Sequence, residues 1–87
     1  MEKRPQLTAY KKFLAIRDGK ECWYCSADLP KDKLTIEHVL NVVDGGSHHP
    51  HNLVLACRSC NVLAGRMSVS SKVKMREDLR SLNVQTT

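Results

Sequence analysis

Apolar positions recur at two different periods along these 87 residues, and each change of period marks an element. Leu7, Tyr10 and Leu14 follow helical spacing, with Phe13 and Ile16 widening the stripe into a core-facing side. Pro5 suits a first turn and Gly19 a stop, which predicts a helix over Pro5 to Arg17. Leu34 to His38 alternates, with Leu34 and Ile36 on one face of a short strand, and Leu53 to Ala56 reads as a second strand. Ser26 to Lys33 around Pro30, and Asn41 to Asn52 with Asp44-Gly45-Gly46, are polar loops. A helix is expected from Arg58 to about Arg66, stopped near Gly65. Ser68 caps a last helix through Leu82, with Val69, Val73, Leu79 and Leu82 inward, Met75 nearby and Asn83 to Thr87 frayed. The pattern predicts one small α+β domain over residues 1–87. Its core covers about 17–66, between an N-terminal helix in 1–16 and a C-terminal helix over 68–82.

Composition changes the picture in one respect. A chain this short buries only about 60–65% of the surface its unfolded form exposes. Its aromatic residues are Tyr10, Phe13, Trp23 and Tyr24 alone, so the core is thin and a staple is expected. The longest apolar run, Leu53 to Cys57, falls far short of the ~20 residues a membrane span needs. Met1-Glu2-Lys3-Arg4 leads into Pro5 and Gln6 and not into an apolar stretch. These features predict a cytoplasmic protein with no membrane partner.

The cysteines supply the staple. Cys22/Cys25 and Cys57/Cys60 form two Cys-x-x-Cys pairs separated by 31 residues. Two intervening residues let both sulfurs of a turn point at one ion, and two such knuckles complete the four-sulfur set of a structural Zn²⁺. Four thiolates leave no open position, so this ion stabilises and does not catalyse. A redox pair is the competing reading, and it does not account for a second copy of the motif.

Charge is uneven along the chain, whose net charge is +5. Residues 1–20 hold six Lys/Arg against two acids, 58–80 six against two, and 21–57 two against five. Basic flanks suit a polyanion and an acidic middle suits a cation. Lys3, Arg4, Lys11, Lys12, Lys72, Lys74, Arg76 and Arg80 are candidate phosphate contacts on exposed helix faces.

Between the knuckles stand Thr35-Ile36-Glu37-His38-Val39, Gly45-Gly46 and Asn52-Leu53-Val54-Leu55-Ala56. Arg17-Asp18-Gly19-Lys20-Glu21 precedes Cys22, and Asn61 follows Cys60. In this order and spacing the stretch resembles the HNH endonuclease family over about residues 13–66. The resemblance implies a ββα-metal, treble-clef-like fold, with the four cysteines on the family's structural zinc. It also implies metal-dependent hydrolysis of DNA, most often double-stranded, leaving 5′-phosphate and 3′-hydroxyl ends. Within it His38 is the general base that activates water, Glu37 and Asn61 ligate a catalytic Mg²⁺ or Mn²⁺, and Asn52 orients His38. Arg58 or Arg66 is the candidate phosphate clamp. The setting it implies is a bacterial cell or a phage-infected host, with a partner protein as a candidate source of specificity.

The chain departs from the family pattern at four places. Glu37 stands where Asp is usual, Asn61 replaces a histidine, the proline after the acid–His pair is absent, and Ala64 takes an often basic position. These departures support an alternative, a catalytically inactive zinc-stabilised module that binds nucleic acid or protein. Neighbouring strand residues point to opposite faces. Glu37 and His38 can therefore share a site only if extended structure breaks at His38 or just after it. His48, His49 and His51 are expected to be solvent-exposed loop residues rather than ligands.

Overall fold

The computed structural model describes the backbone of residues 5–85 and the side chains of residues 8–82. Helix α1 (Pro5–Asp18) precedes the first knuckle. Strands β1 (Leu34–His38) and β2 (Leu53–Cys57) follow, then helices α2 (Arg58–Ala64) and α3 (Val69–Gln85). The strands pair antiparallel with Leu34 opposite Cys57 and His38 opposite Leu53. One further backbone bond, from Val39 N–H to the Asn52 carbonyl at 2.9 Å, closes the ladder before the chain turns. Extended structure thus ends at His38, although Glu37 and His38 still take different partners on opposite sides of it.

The two faces of this narrow sheet are covered by different partners. Opposed residues share a face, so Leu34, Ile36, Leu53 and Leu55 meet Leu14 of α1, with Tyr10, Ala15 and Leu29 at the margin. From the other face Ala56 joins Cys22, Tyr24, Cys60, Ala64 and Met75, drawn from the knuckles, α2 and α3, and Cys57 reaches this cluster from the end of β2. All five residues of β2 are buried, which explains why Leu-Val-Leu-Ala-Cys shows no polar alternation. Among the described residues no helix is long and apolar enough to cross a membrane.

Both flanking helices depart from the expected stripes. Leu14 is fully buried, but Phe13 is 48% and Ile16 78% exposed. Two strands roughly 5 Å apart cover one row of a helix, not a wide stripe. The side chain of Leu7 lies outside the described residues. In α3 the inward side is not Val69, Val73 and Leu82, which are exposed, but Lys72 and Met75, with Leu79 partly buried. Helix α2 ends at Ala64, and Gly65 adopts φ 47° as its stop. The Ser68 hydroxyl accepts the Ser71 N–H at 3.2 Å, the expected cap. Helical backbone runs on to Gln85, past the expected end at Leu82. Residues 86 and 87, also expected to fray, lie outside the described residues.

Candidate active site and metal centre

The knuckles close on each other. The Sγ atoms of Cys22, Cys25, Cys57 and Cys60 all lie within 4.8 Å of one another, a cluster that could hold a metal ion such as Zn²⁺. Among the described residues it is the one convergence of three or more His, Cys, Asp or Glu donors, so the loop histidines assemble no such centre. Four thiols rather than two converge, as a metal centre requires and a redox pair does not. Burial raises the Cys25 and Cys60 thiols. At Cys57 burial is outweighed by hydrogen bonds from the Ser59 hydroxyl and the Cys60 backbone, and the thiol is drawn down to about 7. Arginines of α3 brace the first knuckle. Arg76 Nε donates to the Trp23 carbonyl at 2.8 Å and its guanidinium stacks 4.7 Å from the Trp23 ring. Arg80 reaches the Cys22 and Trp23 carbonyls at 3.1 Å each.

Glu37 projects from β1 toward the knuckles, α2 and α3, and it is 6% exposed. The Tyr24 hydroxyl donates to its Oε2 at 2.6 Å, and the Lys72 ammonium lies 3.3 Å from the same oxygen. Burial, with the carboxylate bond next, raises the Tyr24 phenol well above its usual range, so it stays a neutral donor. Two residues earlier on the same face, Thr35 donates its hydroxyl to the Ala56 carbonyl at 2.9 Å. That hydroxyl also accepts Asn61 Nδ2 at 2.7 Å, and the same amide nitrogen lies 3.4 Å from the Ile36 carbonyl. Asn61 is thus tied to β1 two residues before Glu37, with its amide nitrogen spent on the strand.

His38, at the strand end, faces the other way. Its Nε2 lies 3.1 Å from Nδ1 of His48, with the rings edge to face. Burial, and then electrostatic repulsion from the neighbouring His48, lower its pKa below the ordinary value. Glu37 opposes this and Lys72 adds to it. The chain leaving His38 is clamped by Asn52, whose Oδ1 accepts the Leu40 N–H at 2.9 Å. Its Nδ2 donates to the Leu40 and Ser47 carbonyls at 3.0 and 2.9 Å. The arm is crowded enough to demand glycine: a Cβ on Gly46 would sit on the Leu40 carbonyl and 2.9 Å from the Asn41 oxygen. His49 and His51 are exposed and pair with each other at 2.6 Å. Arg17, at the end of α1, ties the return of the loop through the Pro50 and Leu53 carbonyls at 3.1 and 2.9 Å.

Among the expected phosphate contacts, Arg58 and Arg66 are exposed on and just beyond α2. Lys72 requires a correction. It does not stand on an exposed helix face; it is fully buried, and its Nζ donates to the His38 carbonyl at 2.7 Å and to Asn41 Oδ1 at 2.8 Å. Arg76 and Arg80 likewise hold backbone carbonyls rather than standing free. Lys3 and Arg4 lie outside the described residues. Sequence reasoning missed Tyr24, His48 and the inward role of Lys72. One signal existed: Lys72 sits three and seven residues before Met75 and Leu79, on the apolar side of α3.

An antiparallel hairpin, a helix leading out of its second strand, a four-thiol cluster and an acid–His pair at the strand end define a ββα-metal fold. The chain belongs to the HNH endonuclease family, whose model matches residues 22–76. The match runs past α2 into α3 and takes in Lys72. No curated protein matches the chain. Membership carries a nuclease or nucleic-acid-related function.

Proposed function

We propose that the protein is a metal-dependent endonuclease that hydrolyses phosphodiester bonds of double-stranded DNA. The observation that carries the reading is His38. It is a half-buried imidazole at the free end of β1, with its pKa lowered and its exit loop clamped by Asn52. A neutral ring is what a base needs to take a proton from water near pH 7. Asn52 acts through His38, holding it at the angle the strand end sets.

The donor set fits a hard divalent ion. Glu37 offers a carboxylate, and Asn61, its nitrogen committed to Thr35, offers an amide oxygen. Bound there, Mg²⁺ or Mn²⁺ would supply Lewis-acid stabilisation of the charge that develops on the scissile phosphate. Zn²⁺ on Cys22, Cys25, Cys57 and Cys60 would be structural, and because Asn61 follows Cys60 it would also hold the ligand-bearing helix in place. Arg58 and Arg66, both exposed, are the proposed phosphate contacts. Target selection would come from a partner protein, in a bacterial cytoplasm or a phage-infected host.

A second reading draws on a specific observation: Glu37 already has a buried ammonium, Lys72, as its counter-charge. That suits an inactive, zinc-stabilised nucleic-acid-binding module. Incubating supercoiled plasmid with the protein and Mg²⁺, Mn²⁺ or EDTA separates the two readings. A zinc-loaded, folded His38→Ala variant serves as the control. Metal-dependent nicking that vanishes in the control is the expected result. Intact plasmid under every metal would overturn the nuclease reading in favour of the module.

A further inference from the structure

Lys72 is the one fully buried charged side chain among the described residues, and the reaction proposed above makes no use of it. An ammonium is costly to bury unless each proton finds an acceptor. Here the three acceptors are the His38 carbonyl, Asn41 Oδ1 and Glu37 Oε2, at 2.7, 2.8 and 3.3 Å. Two of them belong to the acid–His pair itself. Asn41 is anchored in turn, its Nδ2 donating to the Met67 carbonyl at 3.0 Å, just before α3 begins. Helix α3 thus places an ammonium against Oε2 of the Glu37 carboxylate.

We infer that Lys72 is a positioning residue that serves as the resident counter-cation of Glu37 and sets how weakly the site takes a divalent ion. The inference rests on the reading of Glu37 as a metal ligand. Two effects of removing the ammonium oppose each other. Losing a cation a few ångströms from the incoming ion strengthens binding, because the repulsion acts through a poorly solvated interior. Losing an anchor loosens the carboxylate and weakens binding. The first effect prevails, because Tyr24 still holds Oε2 at 2.6 Å and fixes the carboxylate without Lys72. An unpaired buried carboxylate is itself destabilising, and a divalent ion relieves that instability. The same contacts tie ion affinity to α3: the helix that neutralises Glu37 also holds the carbonyl of the base.

The test is direct Mn²⁺ binding, read from the electron paramagnetic resonance signal of free Mn²⁺, without DNA. The proteins are zinc-loaded wild type, Lys72→Met, Lys72→Gln and Glu37→Gln. The expected result is a Mn²⁺ dissociation constant about tenfold lower, or less, in both Lys72 variants, and loss of this binding in Glu37→Gln. In plasmid nicking, the Mn²⁺ concentration for half-maximal rate falls by the same factor while the saturated rate does not rise. A merely structural lysine would move both together in the unfavourable direction. Equal or weaker Mn²⁺ binding in folded Lys72 variants, with wild type binding and Glu37→Gln not, overturns the inference alone. Equal binding by wild type and Glu37→Gln overturns the metal assignment of Glu37 and the inference with it. If neither Lys72 variant folds in zinc alone, recovery of the folded circular dichroism signal on adding Mn²⁺ supports the inference, and no recovery overturns it.

Discussion

His38 stands between burial, His48 and Lys72, which disfavour its protonated form, and Glu37, which favours it, and the balance decides when it can accept a proton. Burial and His48 lower its pKa and outweigh the attraction of Glu37. A base works when unprotonated, so nicking should persist as pH falls through the ordinary histidine value of about 6.5, with the acid limb below it. His48→Ala removes the neighbour that lowers the His38 pKa and lets water reach the ring; both changes raise the pKa, so the limb should move up. A pH–rate profile of the two proteins checks the sign. Asn52 makes a different kind of contribution, with three hydrogen bonds to Leu40 and Ser47 from a buried amide. Asn52→Ala strands those backbone groups. At about 1 kcal/mol per bond the loss is about 2–4 kcal/mol, measurable by urea unfolding, and nicking should fall further than the folded fraction does. The spacing of the motif made His38, Asn52 and Glu37 visible as candidates. The contacts of Tyr24 and His48 were not visible, because neither carries a motif and both act through space.

Elements show where local pattern suffices and where it fails. The hairpin was legible: two short apolar runs, a polar connection and a paired glycine gave the strands nearly to the residue. The connection depends on Gly45, at φ 101°, and on Gly46, where any side chain meets the backbone of Leu40 and Asn41. Gly46→Ala must displace main chain, not a flexible tip. It should cost on the order of 3 kcal/mol and depress nicking, since the displaced backbone is the one leaving His38. A thermal melt beside an activity assay tests both. The rotation of α3 was not legible in the same way. Apolar spacing favoured Val69 and Val73, yet the helix turns Lys72 inward, because acceptors on β1 and at Asn41 await an ammonium there. Apolar periodicity along α3 reflects hydrophobicity alone and carries no trace of a matched acceptor set on other elements.

For the molecule as a whole, two small apolar clusters lie on either side of a two-stranded sheet, and neither is large. The side containing the four thiols has few aliphatic residues, so its cohesion depends on what those thiols bind. Removing the metal should unfold that half and with it the register of α2. A structural zinc site contributes on the order of 10 kcal/mol, more than such a core supplies. Titration with a zinc chelator, followed by circular dichroism and elemental analysis, should show structure and one equivalent of zinc lost together. Cys60→Ser should behave like the chelated protein. Retention of the fold after complete zinc loss would refute the staple.

What the sequence determined by itself was whatever depends on short spacing: the two knuckles, the hairpin and the strand end at His38. These follow from local geometry, in which two residues between sulfurs or one between strand faces leave few options. Tertiary structure decided which charged groups are free to meet a substrate. Lys72, Arg76 and Arg80 stand among the phosphate contacts the sequence led one to expect on exposed helix faces. In the folded chain Lys72 is enclosed by Glu37, Asn41 and the His38 carbonyl, and Arg76 and Arg80 are held by carbonyls of the first knuckle. Those acceptors are assembled from β1, the Asn41 turn and the first knuckle, segments far apart in the chain, and no pattern along α3 encodes them.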